Sequence, residues 1–273
     1  MATPQDSMRY SDGRQRVAKR TDWDSAEQYL GYLRHFAAYR FAENYVKDKR
    51  VLEIGCGTGY GSDYLSPVTD SMVSIDQWKD GIASCHKTLS SDDLSFIPAN
   101  ALKLPFMDES FDVIISFQVI EHFSPKDCPQ YISEIRRTLR KNGTFIATTP
   151  NSNLRLLPLQ KQRNPEHMRE YNPRTLRRLL KAHFGEIDIL GLTATEEAML
   201  AERKMLEQSP LEFYLLRPIR KVIGKLSKKQ KVIRREKWEP DIGLIEKVSI
   251  DDYRVTKDSL DGCIDVYAIC VKK

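Results

Sequence analysis

The sequence predicts an α/β fold: a doubly wound, mostly parallel seven-stranded sheet with a basic helical insertion before the last strand. Three observations predict it. Short runs such as FDVIISF at 111–117 are almost wholly apolar, as are strands buried on both faces of a parallel sheet. These runs alternate with segments whose apolar residues recur every three or four positions, the period of a helix packed on one side. The first run, VLEI at 51–54, leads without a linker into glycines at 55, 57, 59 and 61. A turn so rich in glycine lets the backbone take up positive φ and brings it close to another group.

The elements follow in order. Residues 1–24 are polar and aperiodic and read as a flexible arm. From Ser25 to Val46, Tyr29, Leu30, Leu33, Phe36, Ala37 and Phe41 recur at helical spacing, with Asp24-Ser25 supplying the cap. VLEI is the first strand, and the glycine turn opens a helix over 61–65. SMVSID (71–76) is the second strand, GIASCHKTL (81–89) a helix, LSFIPAN (94–100) the third strand and FDVIISF the fourth. PQYISEIRRTLR (129–140) places Tyr131, Ile132, Ile135 and Leu139 on one face; Asn142-Gly143 ends this helix and TFIATTP (144–150) is the fifth strand. A helix near 173–183 and a strand at 187–192 come next. CIDVYAICV (263–271) closes the chain as a strand suited to an antiparallel edge. Residues 25–273 thus read as one Rossmann-like domain carrying an insertion at about 194–250.

Composition bounds the function. Hydrophobic residues make up 41% and charged residues 30%, proportions of a soluble globular chain. No apolar run reaches the ~18 residues of a membrane span, and MATPQDSMRY has no signal-peptide core. The five cysteines are scattered and form no CxxC pair, which argues against a disulfide framework or a structural zinc site. The expectation is a cytoplasmic protein, peripheral to a membrane at most. Between Arg203 and Lys237 stand twelve Lys or Arg against three Glu, so a chain of net charge +5 has an acidic body and one strongly basic segment.

In a doubly wound sheet, ligands bind beyond the carboxyl ends of the strands, where the first strand-to-helix turn lies. A dinucleotide site asks for G-x-G-x-x-G. Here the spacing is Gly55-x-Gly57-x-Gly59, two residues after Glu53, and Asp76 ends the second strand. With this E-x-G-x-G-x-G pattern the chain resembles the class I S-adenosylmethionine-dependent methyltransferases from about residue 35 to its end. ANALKLPF followed by SFDVIISFQVIEHF is similar to the small-molecule type found in ubiquinone biosynthesis. The resemblance implies S-adenosyl-L-methionine as cofactor and S-adenosyl-L-homocysteine as product. It places Glu53, Gly55, Cys56, Gly57, Gly59, Asp76, Gln77, Asn100, Ala101 and Gln118 around that cofactor. Asp76 would accept hydrogen bonds from the ribose hydroxyls, and Gln77 or Trp78 would flank the adenine. Asn100 and the Ala101 N–H would meet the adenine edge, with Asn100 standing where the family usually has Asp. A DNA base-amino methyltransferase would carry N/D-P-P-Y/F after the fourth strand, where this chain reads FQVI.

Methyl transfer to a hydroxyl needs a group that takes up the hydroxyl proton. Glu121 and His122 follow the fourth strand, and NPEHMREY (164–171) follows the fifth, bringing His167, Arg169, Glu170 and Tyr171. Loops after adjacent strands are neighbours, so His122 and His167 are expected to converge. The layout is similar to methyltransferases in which E-x-x-E-H and a later histidine hold a divalent cation, small-RNA 2′-O-methyltransferases among them. Gln118 replaces the first acidic residue, leaving the set one carboxylate short for a hard cation. Histidine base catalysis without a metal is therefore preferred, with Arg169 the candidate to meet an anionic group or to pair with Glu166 or Glu170.

The acceptor expected is a small molecule or a lipid- or glycan-linked hydroxyl. PLEFYLLRPIRKVIGKLSKKQKVIRR (210–235) interleaves apolar and cationic residues, a pattern suited to an anionic membrane surface or to a lid over the site. An RNA acceptor ranks lower, since few aromatics and no RNA-binding module accompany the basic residues. A protein that binds the cofactor without catalysis is the remaining alternative.

Overall fold

A computed structural model describes residues 25–156, 160, 164–206, 242–258 and 260–273. The expected arm at 1–24 and nearly all of the basic segment at 203–237 lie outside the described residues. Strands β1 (Arg50–Ile54), β2 (Ser71–Asp76), β3 (Leu94–Pro98), β4 (Phe111–Phe117), β5 (Leu139–Pro150), β6 (Glu186–Ala194), β7 (Tyr253–Thr256) and β8 (Asp265–Val271) form one sheet. Their order is β3-β2-β1-β4-β5-β8-β6-β7. From β3 through β5 all pairings are parallel; β8 is antiparallel to both β5 and β6, and β7 is antiparallel to β6. The chain reverses direction across the sheet between β1 and β4, which is where such sheets bind ligands.

Two expectations are corrected. The sheet has eight strands rather than seven, because the four residues of β7 add an edge next to β6. The closing strand β8 is interior, with hydrogen-bonded neighbours on both sides. Asp265 to Ala268 are all buried, and interior placement satisfies the backbone polar groups that such burial removes from water.

Helices α1 (Ala26–Val46), α2 (Tyr60–Leu65), α3 (Lys79–Leu89), α4 (Cys128–Thr138), α5 (Ser152–Arg155), α6 (Pro173–Lys181), α7 (Glu196–Leu206) and α8 (Ile242–Ile245) complete the fold. Ser25 caps α1 by accepting the Gln28 N–H at 3.2 Å. Alternate strand residues feed two cores. Val51, Val113, Ile115 and Phe117 pack with Leu33, Phe36 and Tyr39 of α1, whereas Leu52, Ile54 and Ile114 pack with Tyr131 and Ile135 of α4 and Leu176 of α6. The α4 helix stops at Thr138, whose hydroxyl donates to the Glu134 carbonyl at 2.8 Å. Leu139 already pairs with Phe111, so Asn142 (φ 61°) and Gly143 lie inside β5, where the pairing shifts register, and not at a helix end. An Asn172–Thr175 capping box with Pro173 starts α6.

On α1, burial together with the Arg34 and Arg155 guanidiniums holds the His35 imidazole down at about 4. A histidine depressed in the folded state contributes stability above its unfolded value near 6.5 and loses it as pH falls toward 4. Denaturant titrations between pH 7 and 4 should therefore show the wild type losing a few kcal/mol more than His35→Gln over that window. Parallel acid profiles for the two proteins would count against this.

Candidate active site

The glycine turn is held by β2. The amides of Gly55 and Cys56 both donate to the Ile75 carbonyl, at 2.8 and 3.1 Å, and Gly59 N–H closes the turn on Cys56 O at 2.9 Å. Gly55, Gly57 and Gly59 have φ of 84°, 53° and 78°, in the left-handed region. Their surroundings differ. A Cβ on Gly55 would lie 2.4 Å from Val119 Cγ2, and one on Gly59 would lie 2.9 Å from Cys85 Sγ and Leu89 Cδ1. Among the described residues, a Cβ on Gly57 would meet nothing within 4 Å. The open side of the turn is thus at Gly57.

Asp76 stands beside that opening. Its Oδ2 accepts the Gly57 N–H at 3.0 Å and its Oδ1 accepts the Trp78 N–H at 2.9 Å. Each oxygen keeps a lone pair for a further donor. Gln77 is exposed, and the Trp78 indole packs on Gly81 at the start of α3 while remaining 52% exposed. Asn100 is exposed at the end of β3; its Oδ1 accepts the Leu102 N–H at 2.9 Å, which fixes the turn that carries Ala101. Cys56 is buried within the turn.

Glu53 does not reach the opening. It is buried beneath the turn, where the hydroxyls of Tyr39, Ser62 and Ser74 donate to its carboxylate. Burial pushes its carboxyl upward. Tyr39, Ser62 and Ser74 were not legible as site residues, because nothing local in the sequence marks hydroxyls drawn from three elements.

After β4 the backbone turns sharply at Gln118, a non-glycine residue at φ 57°. The turn is fixed by its own N–H on Thr148 O at 3.0 Å. The Gln118 side chain reaches Thr148 Oγ1 at 3.4 Å and donates to the buried Asp265 carboxylate. A 3-10 turn over Ile120–His122 then buries Glu121 completely. Burial pushes the Glu121 carboxyl up to about 8, against the Thr149 hydroxyl that donates to Oε2 at 3.1 Å. Its Oε1 is buried and has no hydrogen-bond partner among the described residues. An orphaned buried acceptor marks a place where another group is expected.

The structure brings the later histidine to this place. The Glu121 carbonyl accepts the N–H groups of Met168 and Arg169, at 2.8 and 3.1 Å, and Asn151 bridges Tyr171, so the 164–171 segment is strapped across the ends of β4 and β5. The rings of His122 and His167 lie 5.0 Å apart at 83°. His122 Nδ1 is 3.2 Å from the Glu166 carbonyl and His167 Nδ1 is 3.2 Å from Glu170 Oε1. Both partners accept, so each Nδ1 carries a proton, and the neutral form of each ring keeps a lone pair on Nε2. Burial and the neighbouring His167 lower the His122 imidazole from its ordinary value. Ligand atoms of Glu121, His122 and His167 lie within 4.8 Å of one another. Arg169 places its guanidinium 5.3 Å from the centre of the Tyr171 ring, a cation–π contact.

Fold and cradle together define a nucleotide-cofactor site of the doubly wound class. Residues 52–147 match the methyltransferase domain family. A probable S-adenosylmethionine-dependent methyltransferase of Mycolicibacterium smegmatis is 36% identical over 181 residues, covering 64% of this chain and 67% of that protein. A fatty-acid O-methyltransferase of the same organism is 34% identical over 129 residues, covering 46% of this chain and 44% of that one. The crystal structure of a SAM-dependent methyltransferase from Archaeoglobus fulgidus shares the fold, with a TM-score of 0.53 at 20% identity over 91% of this chain and 95% of that one. The chain belongs to the class I S-adenosylmethionine-dependent methyltransferases. The residues present fit the cofactor: the space beside Gly57 is open, and Asp76 next to it has acceptor capacity left. Among the described residues no helix is long and apolar enough to cross a membrane.

Proposed function

We propose that the enzyme methylates a hydroxyl or carboxyl oxygen on a lipid-type acceptor, with Glu121, His122 and His167 as the group that activates it. The carrying observation is the pair of histidines, each with its Nδ1 held by an acceptor so that the neutral ring offers Nε2, beside the orphaned oxygen of Glu121. When bound, S-adenosyl-L-methionine supplies a methyl group on a sulfonium, an electrophile with a good leaving group. Gly57, Asp76 and Asn100 hold and orient it, and the Gln118 turn fixes the wall next to the reacting centre. His122, exposed beside the buried Glu121 and His167, takes the acceptor proton on Nε2. Such alignment supplies roughly 7–11 kcal/mol of the barrier.

The lipid reading rests on the relative that acts on fatty acids. The decisive experiment offers purified enzyme labelled cofactor with long-chain hydroxy and free fatty acids, with methylmannosides and with RNA. Label in the organic phase supports the reading; label only in the sugar or RNA arm overturns it.

A second reading has Glu121, His122 and His167 holding a divalent cation that lowers the acceptor's proton affinity, and the closeness of their ligand atoms favours it. Turnover unchanged by EDTA rejects it; turnover abolished by EDTA and restored by Mg²⁺ or Mn²⁺ supports it. We further propose that the basic sequence at 203–237 meets an anionic membrane surface; vesicle co-sedimentation unchanged by its deletion would overturn this.

A further inference from the structure

The helix α1 precedes the matched methyltransferase domain, yet its Tyr39 reaches the elements of the cofactor site. Tyr39 is 5% exposed and donates from its hydroxyl to Glu53 Oε1 at 2.7 Å. Its ring occupies the space a side chain on Gly61 would need, with Cζ 1.9 Å from the position of a Cβ there. The other face of the ring environment is Phe117, the last residue of β4, met edge-on with centroids 5.1 Å apart. Tyr60, at the start of α2, meets it in the same manner at 5.5 Å.

The geometry points to Tyr39 as a positioning residue for the cofactor: it braces both loops that form the cradle, the glycine turn through Glu53 and Gly61, and the Gln118 turn through Phe117. The physical argument is one of shared constraint. Glu53 lies on β1 directly before the turn, and it links that strand to Ser62 of α2 and Ser74 of β2. Its carboxylate is thus a node joining both sides of the turn to α1. Gly61 is required because the end of the ring occupies the place of a side chain on the first turn of α2, which sets where α2 begins and therefore where Gly57 and Gly59 stand. A buried carboxylate deprived of one of three donors relaxes or draws in water, and the strand and helix it joins are freed to shift. Positioning of this kind acts on cofactor affinity before it acts on the chemical step.

Tyr39→Phe keeps the ring and removes only the hydroxyl. The result expected is S-adenosylhomocysteine binding weakened about tenfold by calorimetry, with KM for the cofactor raised alike and kcat at saturation within about twofold. In a Glu53→Gln background the same substitution should add less than a further twofold, because both changes break one node. Arg40→Ala, which cuts an exposed α1 contact to Asp251 without touching Glu53, should leave that affinity unchanged. Wild-type affinity in Tyr39→Phe, full additivity with Glu53→Gln, or an equal loss in Arg40→Ala would each overturn the inference. Hydrogen exchange on the unmutated enzyme gives a second readout. Bound S-adenosylhomocysteine should slow exchange in residues 36–42 together with 55–62, and slowing in 55–62 alone would overturn it as well.

Discussion

Gly57→Ala should abolish cofactor binding while leaving the protein folded. Among the described residues a Cβ at this position meets no atom within 4 Å, so the cost to folding is that of alanine at φ 53°, about 1–2 kcal/mol. That lowers Tm by roughly 2–4 °C per kcal/mol in a chain of this size. The methyl group would project into the open side of the turn, the space the cofactor's backbone approach requires. We expect affinity for S-adenosylhomocysteine to fall by at least about 100-fold, or ~2.7 kcal/mol. The contrast lies with Gly55→Ala and Gly59→Ala. Each adds the same backbone strain and also drives a methyl into Val119, or into Cys85 and Leu89, so overpacking of ~1–3 kcal/mol joins the strain and folding itself suffers. Thermal melts with and without ligand separate the cases. The wild type gains Tm with ligand at 100 times its dissociation constant, equivalent to ~2.7 kcal/mol, and Gly57→Ala at the same ligand concentration should gain at most about 0.4 kcal/mol. A Gly57→Ala protein with a normal ligand-induced shift would remove the cofactor from this turn.

That contrast also marks where sequence reading stops. The glycine spacing announced a backbone held close to a ligand, but not which glycine faces outward, since Val119, Cys85 and Leu89 arrive from elements tens of residues away. The strands of the parallel half were legible because burial on both faces leaves apolar runs such as Phe111–Phe117 with no competing helical period. β7 was not, since Tyr253–Thr256 is four residues long and too brief to show alternation. The interior place of β8 was missed for a related reason: an apolar run states that a strand is buried, not how many neighbours pair with it. At the site, His122 and His167 were readable as neighbours because they follow adjacent strands. Their differing partners, a main-chain carbonyl and the Glu170 carboxylate, set the ring nitrogens and depend on how 164–171 folds back over Glu121. The Glu53 node was read as part of the cofactor wall because only motif position was visible; its hydroxyl donors come from α1, α2 and β2.

Replacing His122 by alanine should lower kcat by roughly 10²–10⁴, the range of a lost proton acceptor, with cofactor affinity within about twofold of wild type. The separation is expected because His122 ends the 3-10 turn that follows β4, whereas Gly57, Asp76 and Asn100 follow or end β1, β2 and β3. His167→Ala should fall in the same direction, and the double variant should lose little more than the worse single one, because the two act at one acceptor atom. Glu121→Gln separates the two modes of activation. The amide keeps the Thr149 contact and the size of the side chain but offers a far weaker metal ligand. If His122 acts as a base beside a neutral Glu121, Glu121→Gln should retain activity within about tenfold and stay indifferent to EDTA. If a cation is held there, Glu121→Gln should behave like His122→Ala and recover in part at raised Mg²⁺ or Mn²⁺. Full activity in His122→Ala and His167→Ala together would dismiss both modes and leave alignment alone to account for the rate.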